Sequence, residues 1–257
     1  LTTWAVLLES ERNYKLAREK FALACAVDSK NFAAPHAWGT MEQKRGNYDK
    51  ARKLLMKSLE ITPRSTTYNA LANLENRVGD RKQARKYYEK SIEKQSGRNA
   101  SASSSGYTQF AMFETSCGNF DKAEELFERG WALLESSKFS SSSSESVHLL
   151  TNWADLLSKR MLTLQNQTNS EVNDVVNGRN GSSKSSNSDS NDSIRKVFEE
   201  RVSEKFRLAA KLNPSRAETY TSWSLSERAF TSKFDASDSN KRSVTSREYD
   251  IVTEGIR

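Results

Sequence analysis

The 257-residue sequence is short of the residues on which catalysis most often rests. It holds two histidines, His36 and His148, and two cysteines, Cys25 and Cys117. Neither histidine lies near a cysteine or carboxylate at metal-ligand spacing, which excludes the common zinc arrangements. Its ten glycines form no phosphate-binding loop, and those that recur act as helix breaks. Two cysteines in separate helical stretches exclude a disulfide framework; buried free thiols are expected, which fits a reducing compartment. No apolar run approaches the roughly 18 residues of a membrane span. Glu42, Glu75, Glu114 and Glu227 could pass for catalytic acids, but they recur because a larger unit recurs. No enzyme, cofactor, metal site, membrane contact or small-molecule substrate is therefore expected.

What the chain does have is a repeating frame. The stretch Pro35 to Pro63 reads as two short antiparallel helices. Trp38, Gly39 and Glu42 sit at helical spacing in the first, Gly46 breaks it, and Ala51, Leu55, Ser58 and Leu59 form the apolar stripe of the second before Pro63 stops it. A hairpin of this size cannot bury its own apolar face and needs copies beside it. The same residue classes return at a period of about 34 residues. Upstream stand Trp4, Ala5, Asn13, Ala17, Arg18 and Phe21; downstream stand Leu71, Ala72, Glu75, Gly79, Asp80, Ala84, Arg85 and Tyr88, then Phe110, Ala111, Glu114, Gly118, Asn119, Ala123 and Phe127. A fifth copy is split, opened by Trp153 and Ala154 and closed by Phe206, Ala209 and Pro214; a sixth begins at Tyr220, Trp223, Ser224 and Glu227.

Each recurring position has a physical task. Small residues after the Trp position let paired helices approach, and Trp4, Trp38, Trp153 and Trp223 fill the space between them. Asn13, Asn47, Asp80 and Asn119 stand where the second helix needs a cap. The fold class expected is all-α, a right-handed α-solenoid of helical hairpins spanning residues 1–230 as one array. Because Leu1 opens the chain three residues before a repeat-position Trp, the array is expected to be a piece of a longer one. An Asn- and Ser-rich insertion from Gln165 to Ser193 has too few apolar residues to offset its ordering entropy and is expected to be an unstructured loop. Residues 231–257 are expected to be a polar linker and a truncated terminal helix.

The frame resembles the HAT (half-a-TPR) repeat, a relative of the tetratricopeptide repeat. The resemblance rests on W-x-x-x-E from Trp38 to Glu42, G-N-Y-x-x-A-R from Gly46 to Arg52, and Pro63. Leu8 and Leu157 depart from the Glu of the pattern and Glu124 from its Arg, so a Glu-to-Arg bridge is not expected in those copies. HAT proteins act in RNA processing, and the runs around Gly46 and Gly79 are most similar to the chloroplast factors that mature and stabilise photosystem transcripts (psbB-type mRNA). The resemblance thus implies single-stranded RNA as partner, alongside other proteins of an RNA-processing complex, and a chloroplast location with the nucleus as the alternative.

By the same resemblance the first helix of each repeat lines a concave groove. The groove-facing rows then hold His36, Asn69 and Thr108; Asn73; Gln43 and Asn76; and Lys44, Arg77 and Lys159. Amides and hydroxyls can bond exposed base edges and cations can neutralise phosphates, which is the chemistry single-stranded RNA requires. The formal net charge of +7 permits such a polyanion. The rival reading is a scaffold whose groove clasps a peptide or another repeat protein.

Overall fold

The structure is a computed structural model that describes residues 1–95, 100–136, 144–178, 196, 198–213 and 216–234. Among these residues it is entirely helical, without a strand. The chain divides into two compact units, Leu1–Phe110 and Ala111–Arg257, where the sequence suggests one array.

The first unit stacks three hairpins: α1 (Thr2–Ser10) with α2 (Tyr14–Val27), α3 (Ala33–Lys44) with α4 (Tyr48–Ile61), and α5 (Ser65–Val78) with α6 (Arg81–Gln95). The N-terminal part of α7 (Ala100–Ser116) follows. The turns reverse through left-handed backbone at Gly46 (φ 80°) and Gly79 (φ 99°), and the same position in the first hairpin is Arg12 at φ 61°. A side chain with a Cβ pays about 1–2 kcal/mol for that conformation, so the first turn carries strain that the glycines avoid. Close approach is built in at Gly39, where an added Cβ would lie 2.8 Å from Leu55 Cγ.

The second unit contains α8 (Phe120–Ser136), α9 (Ser144–Gly178), a π-helical turn (Phe198–Ser203) running into α10 (Glu204–Leu212), and α11 (Ala217–Phe234). Helix α9 packs on α8, α10 and α11. The fifth copy is therefore split as the sequence indicates, with α9 as its first helix and α10 as its second.

One link joins successive repeats. The aromatic ring on a second helix stacks on the Trp-position ring of the next first helix: Phe21 on Trp38 at 6.3 Å, Tyr88 on Phe110 at 5.3 Å, Phe127 on Trp153 at 6.3 Å and Phe206 on Trp223 at 6.1 Å. Leu55 and Leu71 occupy these two positions in the remaining pair and are fully buried. Polar bridges run beside four of these five contacts. Arg18 donates two hydrogen bonds to Glu42 and Arg52 two to Glu75. Where Glu124 replaces the Arg and Leu157 the Glu, the bridge is inverted, and Arg160, one turn beyond Leu157, donates to Glu124 at 2.8 Å. In the next copy the Ser203 hydroxyl donates to Glu227.

Four expectations need correction. Helix α9 runs to Gly178, so the backbone of 165–178 is helical, propagated from the apolar face that begins at Val147; 179–193 lies outside the described residues, as does 235–257. Trp4 is 49% exposed, with Lys20 Nζ over its ring, because among the described residues no second helix covers its outer face. Cys25 and Cys117 are free as expected but half-buried rather than buried. Finally, Asn13 and Asp80 cap through their side chains, whereas Asn47 and Asn119 turn back to donate to Glu42 and Glu114. A hydrogen bond to a buried carboxylate is about twice as strong as one to a neutral backbone group.

Candidate functional site

Helices α3, α5 and α7 present one face each to a groove of about 530 Å³ in the first unit. Its walls carry His36, Thr40, Gln43 and Lys44 from α3, Thr66, Asn69, Ala70, Asn73 and Arg77 from α5, and Ser105 and Gln109 from α7. Six of the residues singled out from sequence, His36, Gln43, Lys44, Asn69, Asn73 and Arg77, are thus brought together. Three are not. Thr108 is buried and donates its hydroxyl to the Ser104 carbonyl. Asn76 is half-buried outside the groove wall. Lys159 lies in the second unit, where it lines a different groove of about 420 Å³ with Asp155, Met112, Phe120 and Leu156. Burial raises the Asp155 carboxyl and Lys159 opposes the rise.

Sequence reasoning missed Thr66, Ala70, Ser105 and Gln109. They stand five and one residues before the Trp position of their repeats, on the same helical face as the rows two and six residues after it. Extending the rows one turn toward the helix N-terminus would have found them.

The groove side chains differ in how much of their hydrogen-bonding capacity is already used. Asn73 is pinned on both sides, accepting from the Tyr88 hydroxyl at 2.7 Å and donating to Gln109 Oε1 at 3.3 Å. His36 Nδ1 lies 3.1 Å from the buried Thr67 hydroxyl, and burial pushes the imidazole pKa down, keeping the ring neutral at pH 7. Lys44 is paired with Glu9 at 2.9 Å. Arg77 is exposed and has no ion pair among the described residues. Asn69 is nine-tenths buried, and its Oδ1 has no partner among the described residues.

The groove wall offers amides, hydroxyls and two cations. Among the described residues no cluster of three or more His, Cys, Asp or Glu could hold a metal ion. No described helix is long and apolar enough to cross a membrane. Such a surface can hold a ligand by hydrogen bonds and charge.

Comparison with known proteins agrees with this architecture. Residues 30–96 match the tetratricopeptide repeat model. No curated protein matches the chain at a significant level. Among solved structures, the C-terminal part of a TPR repeat-containing protein from Cytophaga hutchinsonii superimposes with a TM-score of 0.59 at 13% identity, covering 99% of this chain and 79% of that one. Yeast Tom70 gives 0.63 at 16% identity over 99% of this chain and 45% of its own, and the Cut9–Hcn1 hetero-tetramer of the APC/C gives 0.55 at 10% over 100% and 42%. The chain therefore spans less than half the length of the Tom70 chain and of the chain it matches in the Cut9–Hcn1 complex. Residues 30–96 carry tetratricopeptide repeats, and the helical hairpins on either side of them share the fold of TPR proteins.

Proposed function

We propose that this chain is a non-catalytic binding module that holds an extended polymer along the groove of its first unit, and that the polymer is single-stranded RNA. The observation that carries the reading is the composition of that groove. Consecutive first helices each supply amide or hydroxyl side chains, and Lys44 and Arg77 stand at matching positions near the C-terminal ends of α3 and α5. A regular row of amides with a parallel row of cations suits a chain of bases joined by phosphates. The resemblance to HAT repeats and the net charge of +7 support the same partner. In this reading the protein acts by occupancy, blocking nucleases and local pairing on the covered segment of a transcript; a chloroplast setting follows from the resemblance alone.

A second reading, an extended peptide, has its own support. The Cut9–Hcn1 complex is a protein assembly built on a similar fold, and side-chain amides bond peptide backbone as readily as bases. The two separate in a filter-binding titration against a random RNA pool. Retention that unlabelled single-stranded RNA competes away, and an excess of unstructured peptide does not, is the expected result. Failure to retain RNA together with saturable binding of peptide would assign the groove to a protein partner.

A further inference from the structure

Most polar groups in the groove are spent on the protein itself. Asn73 is held by Tyr88 and Gln109, His36 by Thr67, and Lys44 by Glu9. Two amides are not. Asn69 is 7% exposed with an unpartnered Oδ1, and Gln43 is 6% exposed with no side-chain hydrogen bond among the described residues. They face the same groove from α5 and α3. A buried polar atom without a partner works against folding, and native proteins keep few of them. Its retention on a groove wall points to a donor that arrives with a ligand.

Resting on the RNA reading above, we propose that Asn69 forms the position that selects one base of the bound strand, and that the selected base is adenine, which sets its N6–H beside the N7 acceptor. A side-chain amide carries a donor and an acceptor side by side and pairs with such an edge through two bonds. A base that cannot set an N–H against Asn69 Oδ1 with an acceptor beside it at the amide's spacing leaves Oδ1 buried and unpaired, which is how a hydrogen-bonding site rejects the wrong ligand. The geometry of charge agrees. Arg77 follows Asn69 by eight residues, about 12 Å along the helix axis, a span an extended nucleotide covers from phosphate to base edge. The selecting amide is therefore Asn69 and not Asn73, whose head group the protein already occupies.

The experiment pairs melting with sequence selection from a random RNA pool, for wild type, Asn69→Leu and Asn73→Leu. Asn69→Leu replaces an orphaned acceptor with an apolar group of similar size. Its Tm should rise by about 2–4 °C, while preference at one base position should fall by about tenfold with the salt dependence unchanged. Asn73→Leu should lower Tm, because it removes two internal bonds. Should Asn69→Leu fail to fold, Asn69→Ala is scored for base preference in the same way. A loss of Tm in Asn69→Leu equal to that of Asn73→Leu, or an unaltered base preference in the Asn69 variant, overturns the proposal while leaving RNA binding intact. A wild type that retains no RNA instead overturns the underlying reading.

Discussion

Burial and charge meet at Glu42, which is fully buried yet takes hydrogen bonds from Arg18, Trp38 and Asn47 and an ion pair from Lys50 at 2.9 Å. Burial by itself would raise the carboxyl pKa. The hydrogen bonds from Arg18, Asn47, Lys50 and Trp38 outweigh it and hold the group well below its ordinary 4.5. Because the folded pKa lies below the unfolded one, this site contributes stability above about pH 4.5 and loses it progressively as pH falls toward the folded value. Glu42→Gln should cost about 2 kcal/mol at pH 7, a figure moderated because the Arg18 side chain is 37% exposed and regains water. Denaturant melts at pH 7 and pH 3 check the sign: the gap between wild type and variant should narrow in acid. A gap that stays constant would mean that the carboxylate charge contributes nothing.

The stacked rings explain how one helical hairpin recognises the next. Trp38 is the first-helix half of such a link: it lies flat on Phe21 with an interplanar angle of 10° and donates its indole N–H to Glu42 at 3.0 Å. Its removal withdraws a stacking partner worth about 0.5–1.5 kcal/mol beyond area burial and leaves a void between α2 and α3. Trp38→Ala should therefore cost about 3 kcal/mol, the low side for a Trp because the residue is only half-buried. Thermal or urea melts measure it, and a loss under about 1 kcal/mol would show that the stack is incidental. The inverted Arg160–Glu124 bridge and the Ser203–Glu227 bond of the next copy show that what recurs at this position is a hydrogen-bonded acid, not a fixed residue on each side. Helix α9 teaches a related lesson. Its polar second half has a composition that reads as loop, yet the strong apolar face before it carries the helix on to Gly178.

Across the whole chain, the excess of 40 basic over 33 acidic residues is modest, so affinity for a polyanion depends on where free cations stand. In the groove Arg77 is unpaired among the described residues, whereas Lys44 must leave Glu9 before it can meet a phosphate. Arg77→Gln should lower the slope of log affinity against log salt by about 0.7, and the Lys44, Arg77 double variant by at most about 1.4, with all sequences weakened alike. Filter binding at several salt concentrations tests this; an unchanged slope in the double variant would remove the groove as the phosphate contact. The hairpins and the split fifth repeat were legible in the residues alone, because a side chain's place on a helix follows from its position in the chain at 3.6 residues per turn and the repeat frame carries that rule from copy to copy; the groove-facing rows rested on the resemblance to helical repeats, and the groove gathers His36, Gln43, Lys44, Asn69, Asn73 and Arg77 from them but not Thr108, Asn76 or Lys159. The division into two units was not legible, nor was the helicity of 165–178. The use of each polar head group was hidden too: Asn69 and Asn73 are the same residue type four apart on one helix, yet Asn73 is held by Tyr88 and Gln109, 15 and 36 residues away, while Asn69 keeps a free acceptor. By itself the sequence determined which faces exist and which residues stand on them; only the tertiary structure decided which polar groups were left with bonds to give, because a hydrogen bond is settled by the few ångströms between atoms of different helices, and no local periodicity encodes that distance.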